Sequence, residues 1–356
     1  MRKIALLLLL GALLGLTASA EDIVDTSGVA AAVPDGVSGA LGGMTAADAD
    51  FGEGVQGILD DLSEKSGGAL RAAVGTAAQL LAIVLLCALV GHFAPDAPVD
   101  AVTLAGVLAV TAACAGSLHS LLRLGSETLD QVRVFANVLL PAMTAATAAT
   151  GAVSGAAALS GATVLFSDLL INLTDRLLLP LVYAYLALRA ADAAVGGESL
   201  GRLAGLVSWI ITNSLKWLVL GYVAYVSVTG VISGSADSAK IRAAKLALSG
   251  AVPVVGSIIA DASETVLVGA AVLRTGLGVF GMLVVLGICA YPFLRIGAQY
   301  LILKLSAALS AAIGEKRLVG VIDAVSSCMG FLLALTGAQA LMLLVSCVCA
   351  MKAVSV

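Results

Sequence analysis

The sequence predicts an all-α polytopic membrane protein with about eight transmembrane helices, some of them broken by proline. Of its 356 residues, 60% are hydrophobic and only 12% are charged, whereas about a quarter of the residues in an average soluble domain are charged. The mean hydropathy is +1.08, and apolar runs of about 20 residues, the length of a membrane-spanning helix, recur along the chain. These observations exclude an ordinary soluble enzyme.

The first twenty residues have the pattern of a secretory signal peptide. Two basic residues at positions 2 and 3 precede an apolar run over 4–16, and the small residues of 18–20 stand before Glu21. The run is shorter than a membrane span, so cleavage after Ala20 is favoured over an uncleaved anchor. The mature N-terminus would then lie outside the cell.

Residues 21–69 are predicted to be a short acidic extracytoplasmic segment. Ten acidic residues and one basic residue occur between positions 21 and 65. A segment rich in Gly, Ala, Asp and Ser buries too little apolar surface to fold alone. The polytopic membrane domain is predicted to cover 70–356.

Eight apolar stretches of spanning length define the predicted crossings. They lie at about 70–93, 99–122, 152–172, 177–196, 217–235, 265–290, 293–313 and 327–350. Two stretches between them, 123–150 and 236–262, contain Pro141 and Pro253. Proline removes a backbone donor and clashes with the preceding turn, so a helix tends to break there. Each stretch is therefore interpreted either as an interfacial helix leading into a re-entrant turn or as a kinked spanning helix.

The two prolines also suggest an internal repeat. Aligning them superposes apolar and amphipathic stretches in the same order, and the two units cover about 99–196 and 217–313. Each unit would cross the membrane three times, so consecutive copies would point in opposite directions, as in many secondary transporters. Residue identity between the units is poor, so hydropathy and proline position alone support the repeat.

Asp261 and Glu264 precede the apolar run 265–290. Ionisable residues near membrane depth are functional candidates, and positions three apart share a helix face, where two carboxylates could hold a cation or a proton. A helix capping box is the structural alternative, and the two roles are compatible. With Pro141 and Pro253, these carboxylates form the candidate intramembrane polar site.

Three further patterns bound the function. Lys240, Arg242 and Lys245 form the densest basic cluster and are predicted to be cytoplasmic. A G-x-G-x-x-G sequence at 276–281 lies inside an apolar run, which is typical of a packing face of small residues rather than a dinucleotide site. The sequence contains no catalytic, metal or nucleotide motif and no basic stripe with aromatics, so we expect no enzyme activity, no cofactor and no nucleic-acid partner.

Several ordered motifs resemble the stage III sporulation protein AE family of endospore-forming bacteria. They are VTGVISGSAD at 228–237, AVPVVG at 251–256, DASETVL at 261–267, GVFG at 278–281 and YLILK at 300–304. The resemblance is ordered over 217–313 and looser over 124–216 and 314–356.

The resemblance implies a multi-pass protein of the mother-cell membrane around the forespore. It implies a permease-like component of the multiprotein channel that links the two cells and is needed for forespore development. The implied partners are ring-forming and ATPase proteins of the same operon, besides membrane lipid. Two alternatives remain open: a scaffold that recruits channel partners without conducting solute, and an independent secondary transporter.

Overall fold

The computed structural model describes residues 26–93, 99–149, 153–195, 198–251, 256–313 and 316–352. Their side chains are described except at 153–159, at 228–271, at 175, 273 and 274 and at a few helix ends. The predicted signal peptide at 1–20 and Pro253 lie outside the described residues. Within these ranges every regular element is helical and no strand occurs, which confirms the all-α fold class.

The described residues form nine α-helices and one π-helical segment. They are α1 (Thr26–Ala31), α2 (Asp35–Ser38), α3 (Phe51–Phe93), α4 (Val99–Ala149), α5 (Val153–Leu173), a π-helical segment (Thr174–Leu178), α6 (Leu179–Val195), α7 (Glu198–Ala251), α8 (Gly256–Ser310) and α9 (Lys316–Lys352).

Six helical stretches among the described residues are long and apolar enough to cross a membrane. They are Phe51–Phe93, Ala101–Ala148, Ser160–Val195, Ser199–Ser227, Thr275–Ser310 and Lys316–Met351. The eight predicted crossings become six because two pairs of apolar stretches are each part of one continuous helical rod. The stretches 152–172 and 177–196 belong to one rod, α5–π–α6, and the stretches 265–290 and 293–313 belong to α8. A dip in hydropathy interrupts an apolar run without interrupting the backbone hydrogen bonds, so it does not by itself end a helix.

The helix α4 continues through Pro141 without a break. The structure therefore agrees with the spanning-helix interpretation of this segment rather than with a re-entrant turn at the proline. The neighbours Leu139, Leu140, Ala142 and Met143 are buried, and their packing holds the helix where proline removes one backbone donor.

Each of the two predicted repeat units contains two long helical rods among the described residues. The first holds α4 and α5–π–α6, and the second holds part of α7 and all of α8. The repeat itself stays a prediction.

The helices α8 and α9 lie at the centre of the bundle. In each, 56% of the residues in the most apolar stretch are buried, compared with 22% in α3 and in α7. Glycines permit the close approach to α8: a Cβ at Gly281 would lie 2.6 Å from Leu139 of α4, and the position of Gly278 abuts Met351 of α9. The motif at 276–281 is thus a small-residue packing face, as its sequence predicts.

The acidic N-terminal segment packs against the bundle. Val29, Val37, Leu41 and Ala46 are buried in the same hydrophobic core as the long helices, and Val37 contacts the position of Gly287 on α8. This segment is ordered by packing against the apolar surface of the bundle, because its own composition contains too few apolar residues to form a core. The predicted boundary at residue 69 falls inside α3, which begins at Phe51.

Candidate functional site

Buried hydroxyl groups join three helices in the bundle interior. The Thr163 hydroxyl on α5 donates to Ser346 Oγ on α9 over 3.0 Å and lies 3.2 Å from the Tyr222 hydroxyl on α7. Tyr222 donates to the carbonyl oxygen of Met342 over 2.7 Å. Burial of a polar group is costly unless it is hydrogen-bonded, and these bonds meet that requirement. We call Thr163, Tyr222 and Ser346 the hydroxyl cluster.

A small cavity adjoins the hydroxyl cluster. Its volume is about 10 Å³, which is room for about one water molecule. Four hydroxyl-bearing residues and three apolar residues line it: Thr144, Thr147, Ser160, Ser346, Leu140, Met143 and Ala350. Hydroxyl groups and apolar side chains therefore both line the cavity.

Three buried polar side chains further along the same interface have no hydrogen-bond partner among the described residues. They are Ser167 and Thr174 on the rod and Gln339 on α9, where both amide atoms lack a partner. Gln339 is fully buried, and the other two are less than 5% exposed. We call these three residues the central polar group. Unpartnered buried groups of this kind require an explanation beyond packing.

The helix register places the central polar group on one interface. Thr163 lies opposite Ser346. Ser167 follows Thr163 by four positions and Thr174 follows Ser167 by seven, and residues at these spacings share one helix face. Gln339 precedes Ser346 by seven residues on the antiparallel α9, so it lies level with Leu170, between Ser167 and Thr174.

The π-helical segment begins at Thr174. The backbone N–H of Leu179 bonds to the carbonyl of Thr174, five residues earlier, and Pro180 has no N–H for the carbonyl of Arg176. The proline is thus the local cause of the irregularity. Such single-turn π segments occur often at functional sites.

Two partly exposed ion pairs lie near the opposite end of the same interface. Lys304 Nζ on α8 lies 2.5 Å from Asp323 Oδ1 on α9, and Arg189 lies 3.7 Å from Asp192 on α6. The Gly201 N–H of α7 donates to Asp192 over 2.8 Å. Pairing lowers the cost of placing charges beside hydrocarbon. These four charged residues form the charged cluster.

The hydroxyl cluster, the central polar group and the charged cluster form a polar seam along the contact of α5–π–α6 with α9. From Ser346 to Asp323 the seam covers 23 residues, or about 35 Å at 1.5 Å per residue, close to the roughly 30 Å thickness of the hydrocarbon layer. A layer of buried apolar residues interrupts it between the central polar group and the charged cluster: Leu178, Val182, Cys328 and Leu332. The seam thus consists of buried polar groups and two ion pairs, separated by one apolar layer.

Comparison with known proteins identifies the family. The model of the stage III sporulation protein AE family matches residues 46–353. The chain belongs to this family. It is also 22% identical over 230 residues to stage III sporulation protein AE of Bacillus subtilis (strain 168), a match that covers 65% of this chain and 58% of the relative. No solved structure matches the chain.

The structure locates one residue of the predicted polar site beside the seam. In this family member, Pro141 lies on α4 between Leu140 and Thr144, which both line the cavity. Asp261 and Glu264 lie in the first turns of α8, and their side chains fall outside the described ones. Pro253 is outside the described residues, so the structure leaves the grouping of these four residues untested.

The predicted basic cluster belongs to the helix α7. Lys240, Arg242 and Lys245 lie in its second half, and their side chains also fall outside the described ones. Their cytoplasmic placement stays a prediction.

The seam residues escaped sequence reasoning because Ser, Thr and Gln attract less attention in an apolar run than Asp or Glu. A signal was nevertheless present. Ser167 and Thr174 are seven residues apart, and so are Gln339 and Ser346. Polar residues that recur every seven positions in apolar helices indicate one shared polar face.

Proposed function

We propose that this stage III sporulation protein AE family member is a permease-like membrane component of the channel that links mother cell and forespore. In this proposal it resides in the mother-cell membrane around the forespore, is needed for forespore development and acts with ring-forming and ATPase proteins of its operon. Family membership supports the sporulation role, and the polar seam supports conduction. Polar groups inside a membrane bundle are expensive and are usually kept for a pathway or a relay.

The first experiment asks whether the centre of the seam is needed. Sporulating cells that lack their own copy are complemented with the wild-type chain, with Gln339→Leu or with Thr174→Val. Because an apolar side chain removes a polar step from the route, we expect each variant to reduce heat-resistant spores at least tenfold, with normal protein level in the membrane.

The matched control is Thr111→Val. Thr111 lies away from the seam, where its hydroxyl donates to the Val107 carbonyl of its own helix over 2.7 Å, so this variant makes the same Thr-to-Val change outside the seam. Wild-type spore counts for both seam variants would refute a conducting seam.

The predicted carboxylate site has its own test. The double variant Asp261→Asn, Glu264→Gln should abolish forespore development while protein level and localisation stay normal, if the two carboxylates hold a cation or a proton. Normal spore yield in the double variant would remove this site from the proposal.

The scaffold alternative is favoured by an apolar groove on the surface. The groove has a volume of about 680 Å³ and lies between the first half of α3 and the helices α8 and α9, with Leu59, Leu62, Phe293 and Leu341 among its lining residues. A recruiting surface of this kind would need no conduction.

Flux into reconstituted vesicles separates the two candidates, measured with and without the operon proteins. A scaffold predicts no flux in either condition. It also predicts tolerance of Gln339→Leu and loss of function on neutralising the predicted cytoplasmic cluster at Lys240, Arg242 and Lys245.

A further inference from the structure

The outer surface of α4 and of the neighbouring rod α5–π–α6 combines charged and apolar side chains. Six exposed residues form what we call the mixed face: Asp130, Val134 and Asn137 on α4, and Leu165, Leu169 and Arg176 on the rod. On each helix the spacings are three, four or seven, so the residues share one side. The three apolar members are between 48% and 61% exposed.

Two charges of the mixed face have opposite sign and no ion-pair partner. Beside them, Arg133 on α4 lies 3.0 Å from Asp168 on α5, and this pair joins the two helices. Asp130 and Arg176 form no ion pair with any residue whose side chain the structure describes. The chain itself therefore leaves one carboxylate and one guanidinium available on this surface.

Neither lipid nor water suits the mixed face. Asp130 and Arg176 lie well inside the stretches of α4 and the rod that can cross a membrane, and an unpaired charge in hydrocarbon is costly. In water, Val134, Leu165 and Leu169 would instead form an uncovered apolar patch. Contact with another protein satisfies both kinds of residue, since such interfaces combine apolar side chains with arginine.

The helix register allows the two charges to meet across two copies of the chain. The pair between Arg133 and Asp168 sets these positions at one level, and a second contact between α4 and α6 shows that the helices run antiparallel. Asp130 and Arg176 then differ in level by about five residues, or about 8 Å, which a long arginine side chain can cover.

Symmetry completes the argument. Copies in one membrane point the same way, so a two-fold axis parallel to the helices places α4 of one copy against the rod of the other, and each contact occurs twice. We propose that the mixed face joins two copies of this chain, with Asp130 of each copy paired to Arg176 of the other. The inference goes beyond the proposed function, because association is measurable on the purified chain without any partner protein.

The first experiment measures energy transfer between donor-labelled and acceptor-labelled full chains, mixed in liposomes at low protein density. Asp130→Arg and Arg176→Asp should each reduce the transfer about fivefold, because like charges then face each other. The double variant should regain the transfer, since the pair forms again with exchanged signs. Asp60→Arg is the matched control, exposed on α3, and should behave as the wild type.

Three results of this experiment would overturn the proposal. They are the absence of transfer between wild-type chains, wild-type transfer in both single variants, and a double variant that stays as low as the single ones. The first result would assign the mixed face to a different protein or to lipid headgroups.

Cysteine cross-linking tests the geometry without changing a charge. In chains that lack the native cysteines, one population carries Val134→Cys and the other carries Leu169→Cys, and a short bismaleimide should join them as a dimer. Leu85→Cys, exposed on α3, replaces Val134→Cys in the control and should give no dimer. A missing dimer in the first mixture would contradict the two-fold contact. Neither measurement depends on the spore counts or the flux that test the proposed function.

Discussion

Gln339 illustrates the tension between stability and a buried polar side chain. It is fully buried, and neither amide atom has a partner among the described residues. An unpartnered buried amide costs about 1–3 kcal/mol in proteins. If position 339 served only for packing, leucine would give a more stable protein than glutamine.

The first prediction at this scale is that Gln339→Leu stabilises the isolated protein. Removal of the unpartnered amide should raise the free energy of unfolding by about 1–3 kcal/mol, measured by denaturant unfolding in detergent. Tyr222→Phe is the control of opposite sign. It deletes the bond to the Met342 carbonyl and should destabilise by about 1 kcal/mol. A destabilised Gln339→Leu would show that the amide has a partner.

The second residue-scale prediction concerns Asp48 in the loop before α3. Its carboxylate accepts hydrogen bonds from the Thr45 hydroxyl and from the Thr45 backbone N–H, and these bonds hold the pKa of Asp48 below its ordinary value. The charged form is thus favoured by folding. The resulting stability is present above the ordinary pKa of about 3.9 and is lost as pH falls through the lower folded-state pKa.

We therefore expect amide exchange in residues 44–50 to accelerate below about pH 4, after correction for the intrinsic exchange rate. Asp48→Asn should exchange faster already at neutral pH and should lose this acid transition. Asp35→Asn, in α2, is the control and should retain the wild-type profile. An unchanged transition in Asp48→Asn would assign the effect to another group.

At the scale of the element, the rod α5–π–α6 shows how one proline alters a helix without ending it. The hydrogen-bond pattern widens at Thr174–Leu178, ahead of Pro180, whereas α8 continues as an α-helix through Pro292. A proline costs a donor in both places. The rod is more peripheral than α8, so its neighbours constrain it less.

The prediction for this element is that Pro180→Ala restores regular α-helical bonding. The new N–H can bond to the Arg176 carbonyl, and backbone exchange over 174–180 should slow by about fivefold, the effect of one hydrogen bond of about 1 kcal/mol. Hydrogen exchange with mass spectrometry measures this change. Pro292→Ala should have a smaller effect on exchange around position 292. Equal effects of the two substitutions would show that Pro180 is not the cause of the π segment.

At the scale of the whole molecule, the helices are longer than a bilayer is thick. The 55 residues of α8 span about 80 Å at 1.5 Å per residue, while the hydrocarbon layer measures roughly 30 Å. Parts of the bundle must therefore project from the membrane. The exposed acidic residues Asp60 and Glu64 in the first half of α3 fit such a projecting part.

Cysteine labelling distinguishes six crossings from eight. With eight crossings, a turn between 265–290 and 293–313 would expose Tyr291 to water; in the structure it lies within α8. Tyr291→Cys, in a chain without its six native cysteines, should resist a membrane-impermeant maleimide as strongly as the buried Val284→Cys. Ala312→Cys, in the connection to α9, is the exposed control for lysed cells. Rapid labelling of Tyr291→Cys would support the turn between 265–290 and 293–313 and therefore eight crossings.

Particular residues show how far sequence reasoning reached. The glycines at 276–281 were identifiable as a packing face because small residues inside an apolar run have one common use in membranes. The predicted crossings 265–290 and 293–313 were separated at Tyr291-Pro292, but proline removes only one backbone bond and tight packing of α8 holds the helix together. Gln339 and Thr174 could not be paired from sequence, since 165 positions separate them and the antiparallel register of two rods brings them level.

Composition by itself determined that this protein is a helical membrane protein. A bilayer permits few backbone structures, and each of them requires a recognisable pattern of apolar residues in the sequence. Ordered motifs over the second half of the sequence indicated the family. Only tertiary structure decided the number of rods, the burial of α8 and α9 and the alignment of hydroxyl and amide groups into one seam. Those features depend on how helices face one another, and hydropathy along a single chain carries no information about its neighbours.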